Sequence, residues 1–152
     1  MTSTVQEFLA MSTENAKNEL VQALLNLPED KRAWSPSATA RTALDMVAEC
    51  AINNGFTVGL IESHEWPKRD WPTYQSEKAE LAAGDWGALR TLLEKNTEQA
   101  IAAIRAVPNA DLDIQVETPY GTGPLSGICA YPYWNMSYHL GQINYIASQL
   151  GL

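Results

Sequence analysis

Four long stretches of this chain carry apolar residues at intervals of three, four and seven. A chain patterned this way buries its stripes by packing helix against helix. The first stretch runs from Thr4 to Asn26, with Leu9, Ala16, Leu20, Ala23, Leu24 and Leu27 on one stripe and Pro28 as its stop. After the polar connection PEDKRAWSPSA, Ser37 is placed to cap a second helix reaching Glu62. Its apolar face is Leu44, Val47, Ala48, Ala51 and Ile52, and Gly55 and Gly59 weaken its second half enough for a kink or an early end. The third helix starts at the N-cap Asp85, carries Leu89, Leu92, Leu93, Ala100, Ile101, Ile104 and Val107, and ends at Pro108. The fourth runs from Leu125 or Ser126 to Leu150, with Pro132 near its start and Gly151 as its stop.

Two segments fall outside this pattern. Residues 63–84 hold His64, Trp66, Trp71, Tyr74 and two prolines; the tryptophans are expected to fold this loop back onto the bundle, with Gln75–Ala83 as a short helical turn. In LDIQVETPYGTG, Leu112, Ile114 and Val116 alternate with polar residues before a Pro-Tyr-Gly turn, which reads as a short strand, hairpin or extended arm. The expected fold is therefore all-α: a four-helix bundle spanning residues 1–152 as one domain, with a short extended segment or hairpin between helices 3 and 4.

Composition narrows the function classes. With 45% apolar residues the chain can build a core, and its formal charge of −8 disfavours nucleic acid or an anionic membrane as partner. No apolar run is long enough to span a bilayer, and the first twenty residues show neither a basic region nor a continuous apolar run, so a cytoplasmic location is expected. Cys50 and Cys129 both sit in apolar surroundings and read as buried reduced thiols.

The informative residues are the polar ones inside apolar stripes. Asn135, His139 and Gln142 lie at i, i+4 and i+7 on a stripe whose other members are Ile128, Tyr131 and Ile146. In the second helix Glu49 stands between Ala48 and Cys50, with Asp45 one turn before it. A polar group left unpaired in an apolar interior costs on the order of a few kcal/mol. Two arrangements remove that cost. Glu49 and His139 meet in a charge-assisted hydrogen bond with Asn135 and Gln142 satisfying the rest, or these side chains hold a metal. Asn96, between Leu93 and Ala100, either joins the cluster or sits at its rim; Asp45 either faces solvent or pairs with Arg41.

In their order, these pieces resemble the DinB-like superfamily, which includes the YfiT-like proteins described as metal-dependent hydrolases. The resemblance rests on the Trp34-Ser35-Pro36 connection, the Ala43–Ala51 stretch, the Pro119-Tyr120-Gly121 turn and above all His139-Leu-Gly-Gln-Ile143, which is similar to a His-Arg-Gly-Gln-Ile/Leu signature. It implies a four-helix bundle, commonly a homodimer, and a metal site of three histidines, one in the second helix and two spaced four apart in the last. Carried over, the metal positions are Glu49, Asn135 and His139, so two imidazoles are replaced and Leu140 stands in place of arginine. His64 is a poor substitute, since a continuous helix would place it ~22 Å from Glu49.

The implied cofactor is one divalent ion (zinc, nickel or a harder ion), weakly bound or absent. The implied activity is that of a metal-dependent hydrolase or thiol-dependent transferase, with Glu49 as ligand or base and His139 as ligand or acid/base. The alternatives are a small-molecule-binding protein, with Tyr131, Trp134, Tyr138 and the loop tryptophans walling its pocket, and a non-catalytic dimeric scaffold that has lost the metal.

Overall fold

The computed structural model describes residues 4–152; residues 1–3 of the expected domain lie outside it. The element order is α1 (Val5–Asn26), α2 (Ala43–Ser63), α3 (Trp71–Ala83), α4 (Trp86–Ala106), β1 (Gln115–Thr118), β2 (Gly121–Pro124) and α5 (Leu125–Gln149), with short 3-10 turns at Glu29–Lys31 and Asn109–Asp111. The bundle consists of α1, α2, α4 and α5. Each packs mainly on two others, in the cyclic order α1–α4–α2–α5, so the chain neighbours α1 and α2 lie diagonally opposite, as do α4 and α5. None of the described helices is long and apolar enough to cross a membrane.

The starts and stops follow local chemistry. Thr4, Thr42, Asp70 and Asp85 each accept a backbone N–H three residues on and cap α1, α2, α3 and α4. The cap of α2 is thus Thr42 and not Ser37. Ser37 instead closes a turn in the connection, its hydroxyl accepting from the Ala40 N–H at 3.2 Å. No side chain caps α5. The Leu125 and Ser126 N–H groups donate to the Ile114 and Leu112 carbonyls, which ties the helix to the segment before β1. Pro132 lies inside α5, two turns beyond its start, and is buried.

Three expectations are corrected or made definite. First, the described residues form five α-helices. The segment expected as a loop with one helical turn contains the 13-residue α3, which begins with Asp70 as cap and Pro72 in its first turn and packs on α2 outside the bundle. Its apolar pattern is weak because only Tyr74 and Lys78 are buried.

Second, the extended segment or hairpin expected between helices 3 and 4 is a two-stranded antiparallel hairpin, with Thr118 opposite Gly121. Pro119 and Tyr120 form its turn, and Gly121 adopts φ +125°, which favours glycine.

Third, α2 runs unbroken through Gly55 and Gly59 to Ser63, where His64 closes it in the left-handed region at φ 57°. Gly55 is there for space. A Cβ at this position would lie 2.7 Å from Asn96 Nδ2, the atom that donates to the Ala51 carbonyl at 2.8 Å. Gly55→Ala is therefore expected to destabilise the wild type, because the Asn96 bond is lost. In an Asn96→Ala background it should stabilise by about 1 kcal/mol, the helix-propensity difference. Denaturant unfolding of the four proteins of this cycle checks the change of sign.

The core has two apolar clusters. One, around Leu20, Leu24, Val47, Leu93, Met136 and Ile143, fills one end; the other, around Leu9, Leu60, Ile104, Val116 and Leu125, fills the other. Buried polar residues fall between them along the helices: Thr13 in α1, Asn54 and Thr57 in α2, Thr97 in α4. Asn54 Nδ2 donates to Thr97 Oγ1 at 2.9 Å across the α2–α4 seam.

Candidate functional site

The polar residues of α2 and α5 meet on the seam between those two helices. His139 is 3% exposed, and its Nε2 is hydrogen-bonded to Glu49 Oε1 at 3.0 Å while its Nδ1 lies 2.6 Å from the Gln142 side-chain amide. Gln142 is three residues along the same helix and so faces the same side. Asn135, also 3% exposed, turns to Cys50, its Nδ2 lying 3.7 Å from Sγ. Asn96 is not in the cluster; it bonds the α2 backbone at Ala51.

The second carboxylate oxygen of Glu49 is held by Arg41, whose Nη1 lies 2.7 Å from Oε2. Arg41 also pairs through Nε with Asp45, one turn earlier in α2, and the Lys78 ammonium from α3 lies 3.4 Å from the other Asp45 oxygen. Asp45 is thus a partner for Arg41 and does not simply face solvent. Two carboxylates, Asp45 and Glu49, are matched by two basic side chains, Arg41 and Lys78.

This environment decides protonation. Burial pushes the Glu49 carboxyl up, but the hydrogen bond from His139 and then the charge of Arg41 outweigh it and hold it at about 2. A carboxylate so poised is a weak base at neutral pH, which argues against a general-base role. Burial, reinforced by the Glu49 charge, pushes the Cys50 thiol up, and burial pushes Cys129 to about 11, so neither offers a thiolate nucleophile.

Beside the cluster opens a cavity of about 470 Å³ between α2, α3, the hairpin turn and α5, a size suited to a small organic molecule. Glu49 is at its polar end, with Asn53, Thr57, Arg69, Tyr74 and Tyr131. Phe56, Trp66, Trp71, Tyr120 and Ile128 supply the apolar wall. The walls brace one another edge-on, with Phe56 and Trp66 centroids 5.0 Å apart and Trp66 and Tyr120 6.0 Å apart. The Arg69 guanidinium lies 3.7 Å from the Tyr74 ring centroid and 4.7 Å from that of Phe56, and donates to Asn53 Oδ1 at 3.0 Å. Burial, then the Glu49 charge, raises Tyr74 to about 12 and pushes Tyr131 up too, so both phenols stay protonated.

The arrangement of helices has close counterparts among solved structures. YfiT from Bacillus subtilis, described as a probable metal-dependent hydrolase with an unusual four-helix bundle topology, superposes with a TM-score of 0.80 at 14% identity, over 99% of this chain and 91% of that one. A DinB-like protein of Bacillus subtilis gives 0.68 at 14% identity, over 95% and 92%. This chain has the DinB-like fold. A mycothiol-dependent maleylpyruvate isomerase gives 0.76 at 18% identity over 93% of this chain, which spans 63% of the isomerase's length. No family model and no curated protein matches the sequence. At these identities the likeness is one of fold.

On this DinB-like scaffold the residues at the expected metal positions do not fit a metal as they stand. Both Glu49 oxygens are taken. Both ring nitrogens of His139 are engaged, Nε2 by Glu49 and Nδ1 by Gln142, so neither is free for an ion. Asn135 faces a thiol. Among the described residues no group of three or more His, Cys, Asp or Glu side chains is placed to hold an ion.

Sequence reasoning brought Glu49, His139 and Gln142 to one place but missed Arg41 as a partner of Glu49. Its signal was present, since Arg41, Asp45 and Glu49 follow at i, i+4 and i+8. Lys78, Asn53 and Arg69 gave no comparable signal. Of the aromatics expected to wall a pocket, Tyr131, Trp66 and Trp71 line the cavity, whereas Trp134 and Tyr138 stack on each other at the surface, more than half exposed.

Proposed function

We propose that this chain is a small-molecule-binding protein whose ligand is a compact organic carboxylate with an aromatic or apolar body. The observation that carries the reading is Arg69. It stands on the wall of an aromatic cavity and, among the described residues, makes no ion pair. The other charged group there, Glu49, is already neutralised by Arg41. A ligand entering the cavity therefore meets aromatic faces and one cation whose charge is unmatched. A carboxylate satisfies that cation, and a guanidinium presents it with paired donors. Tyr74 and Phe56 hold the guanidinium plane in place, which lowers the cost of ordering it on binding.

Isothermal titration with phenylacetate and its neutral isostere phenylacetamide tests the reading, with the fluorescence of Trp66 and Trp71 as a second signal. The acid should bind, and the amide should bind at least roughly tenfold more weakly, since a hydrogen bond to a charged group contributes about 1.5–3 kcal/mol. Arg69→Ala should lower acid affinity by a similar factor and leave the amide unchanged. Equal affinity for acid and amide would remove the anion from the reading; no saturable binding of either would remove the reading itself.

A further inference from the structure

A divalent ion in a cluster like this does two things: it supplies positive charge to oxygen ligands, and it fixes the orientation of the imidazole. Both tasks are already performed by the chain. The Arg41 guanidinium reaches Glu49 through Nη1 at 2.7 Å and Asp45 through Nε, and its Nη2 donates to the Asp45 carbonyl at 3.2 Å. The imidazole is fixed by Glu49 on one side and Gln142 on the other. Lys78, largely buried, completes the neutralisation from α3.

We propose that Arg41 is the resident cation of this site: its guanidinium takes the electrostatic place of a divalent ion, and its removal opens Glu49 and His139 to a metal. The inference does not depend on which ligand fills the cavity. A guanidinium and a metal ion compete for the same Glu49 oxygens, and Arg41, tethered to the chain, is present at a high effective concentration and never deprotonates. A divalent ion added to the wild type must displace it and bring two further charges next to a cluster that is already neutral. With Arg41 removed, Glu49 keeps one oxygen free beside the His139 imidazole, and the local charge turns negative, which favours a cation.

The test is isothermal titration of the full chain, without a histidine tag, with Zn²⁺ and separately with Ni²⁺. Wild type, Arg41→Ala and Arg41→Ala with His139→Ala are compared, and circular dichroism checks folding. The wild type should show no saturable binding in the micromolar range. Arg41→Ala should bind Zn²⁺ at least roughly tenfold more tightly, the usual scale for a change beside a metal ligand. The added His139→Ala should abolish the gain. Arg41→Gln, which removes the charge but keeps polar contacts, gives the same reading if Arg41→Ala fails to fold. Micromolar one-to-one binding by the wild type that His139→Ala abolishes would overturn the proposal. So would folded Arg41 variants that gain no affinity.

Discussion

Glu49→Ala is expected to lower stability by about 3 kcal/mol, the scale found when one partner of a buried ion pair is removed and the other charge is stranded. Its carboxylate is 17% exposed and holds both Arg41 and the 3%-exposed His139. Without it, the imidazole Nε2 loses its acceptor and Arg41 keeps only Asp45. For a domain of this size the loss should lower the melting temperature by roughly 6–12 °C.

Glu49→Gln separates charge from hydrogen bonding, since the amide oxygen can still accept from His139. The carboxyl sits at about 2 in the folded chain against an ordinary 4.5. A group whose folded value is depressed stabilises fully above its unfolded value and loses that contribution as pH falls toward the folded one. The advantage of wild type over Glu49→Gln should thus be constant above about 4.5 and shrink as pH falls toward 2. Its full size is on the order of 1–2 kcal/mol, allowing for water at the exposed edge of the pair. Urea unfolding at several pH values measures it, and a difference unchanged between about pH 6 and pH 3 would show that the charge contributes nothing.

The second large effect is a gain. Arg41→Ala, Glu49→His and Asn135→His together are expected to create a three-imidazole zinc site that binds roughly a hundredfold or more tighter than wild type. Residues 135 and 139 lie on adjacent turns of α5, the spacing at which two imidazoles chelate one ion. Asn135 already faces α2 next to position 49, through its 3.7 Å contact with Cys50. His139 already faces Glu49 itself. Removing Arg41 takes away the cation that would repel the ion. Titration with Zn²⁺ measures the change. Equal affinities in a folded triple variant would mean that positions 49, 135 and 139 do not converge closely enough to share an ion.

The sequence by itself determined the four bundle helices, because their apolar stripes repeat with the helical period and their ends carry the chemistry of caps and stops at Thr4, Pro28, Asp85 and Pro108. It also determined that Glu49 and His139 must find partners, since each interrupts a stripe that turns inward. It did not reveal α3, whose few buried side chains leave no stripe to read, or the boundary at Thr42, where several hydroxyl residues compete as caps. The tertiary structure alone decided the cyclic order of the helices. A stripe specifies which face is buried but not which helix covers it, and only the packing sets α1 diagonal to α2. It also decided the chemistry of the site. Lys78 arrives at Asp45 from α3, and Arg69, outside any helix, is positioned by the Phe56 ring of α2 and the Tyr74 ring of α3. Such contacts depend on where side chains lie in three dimensions, and local periodicity carries no information about that.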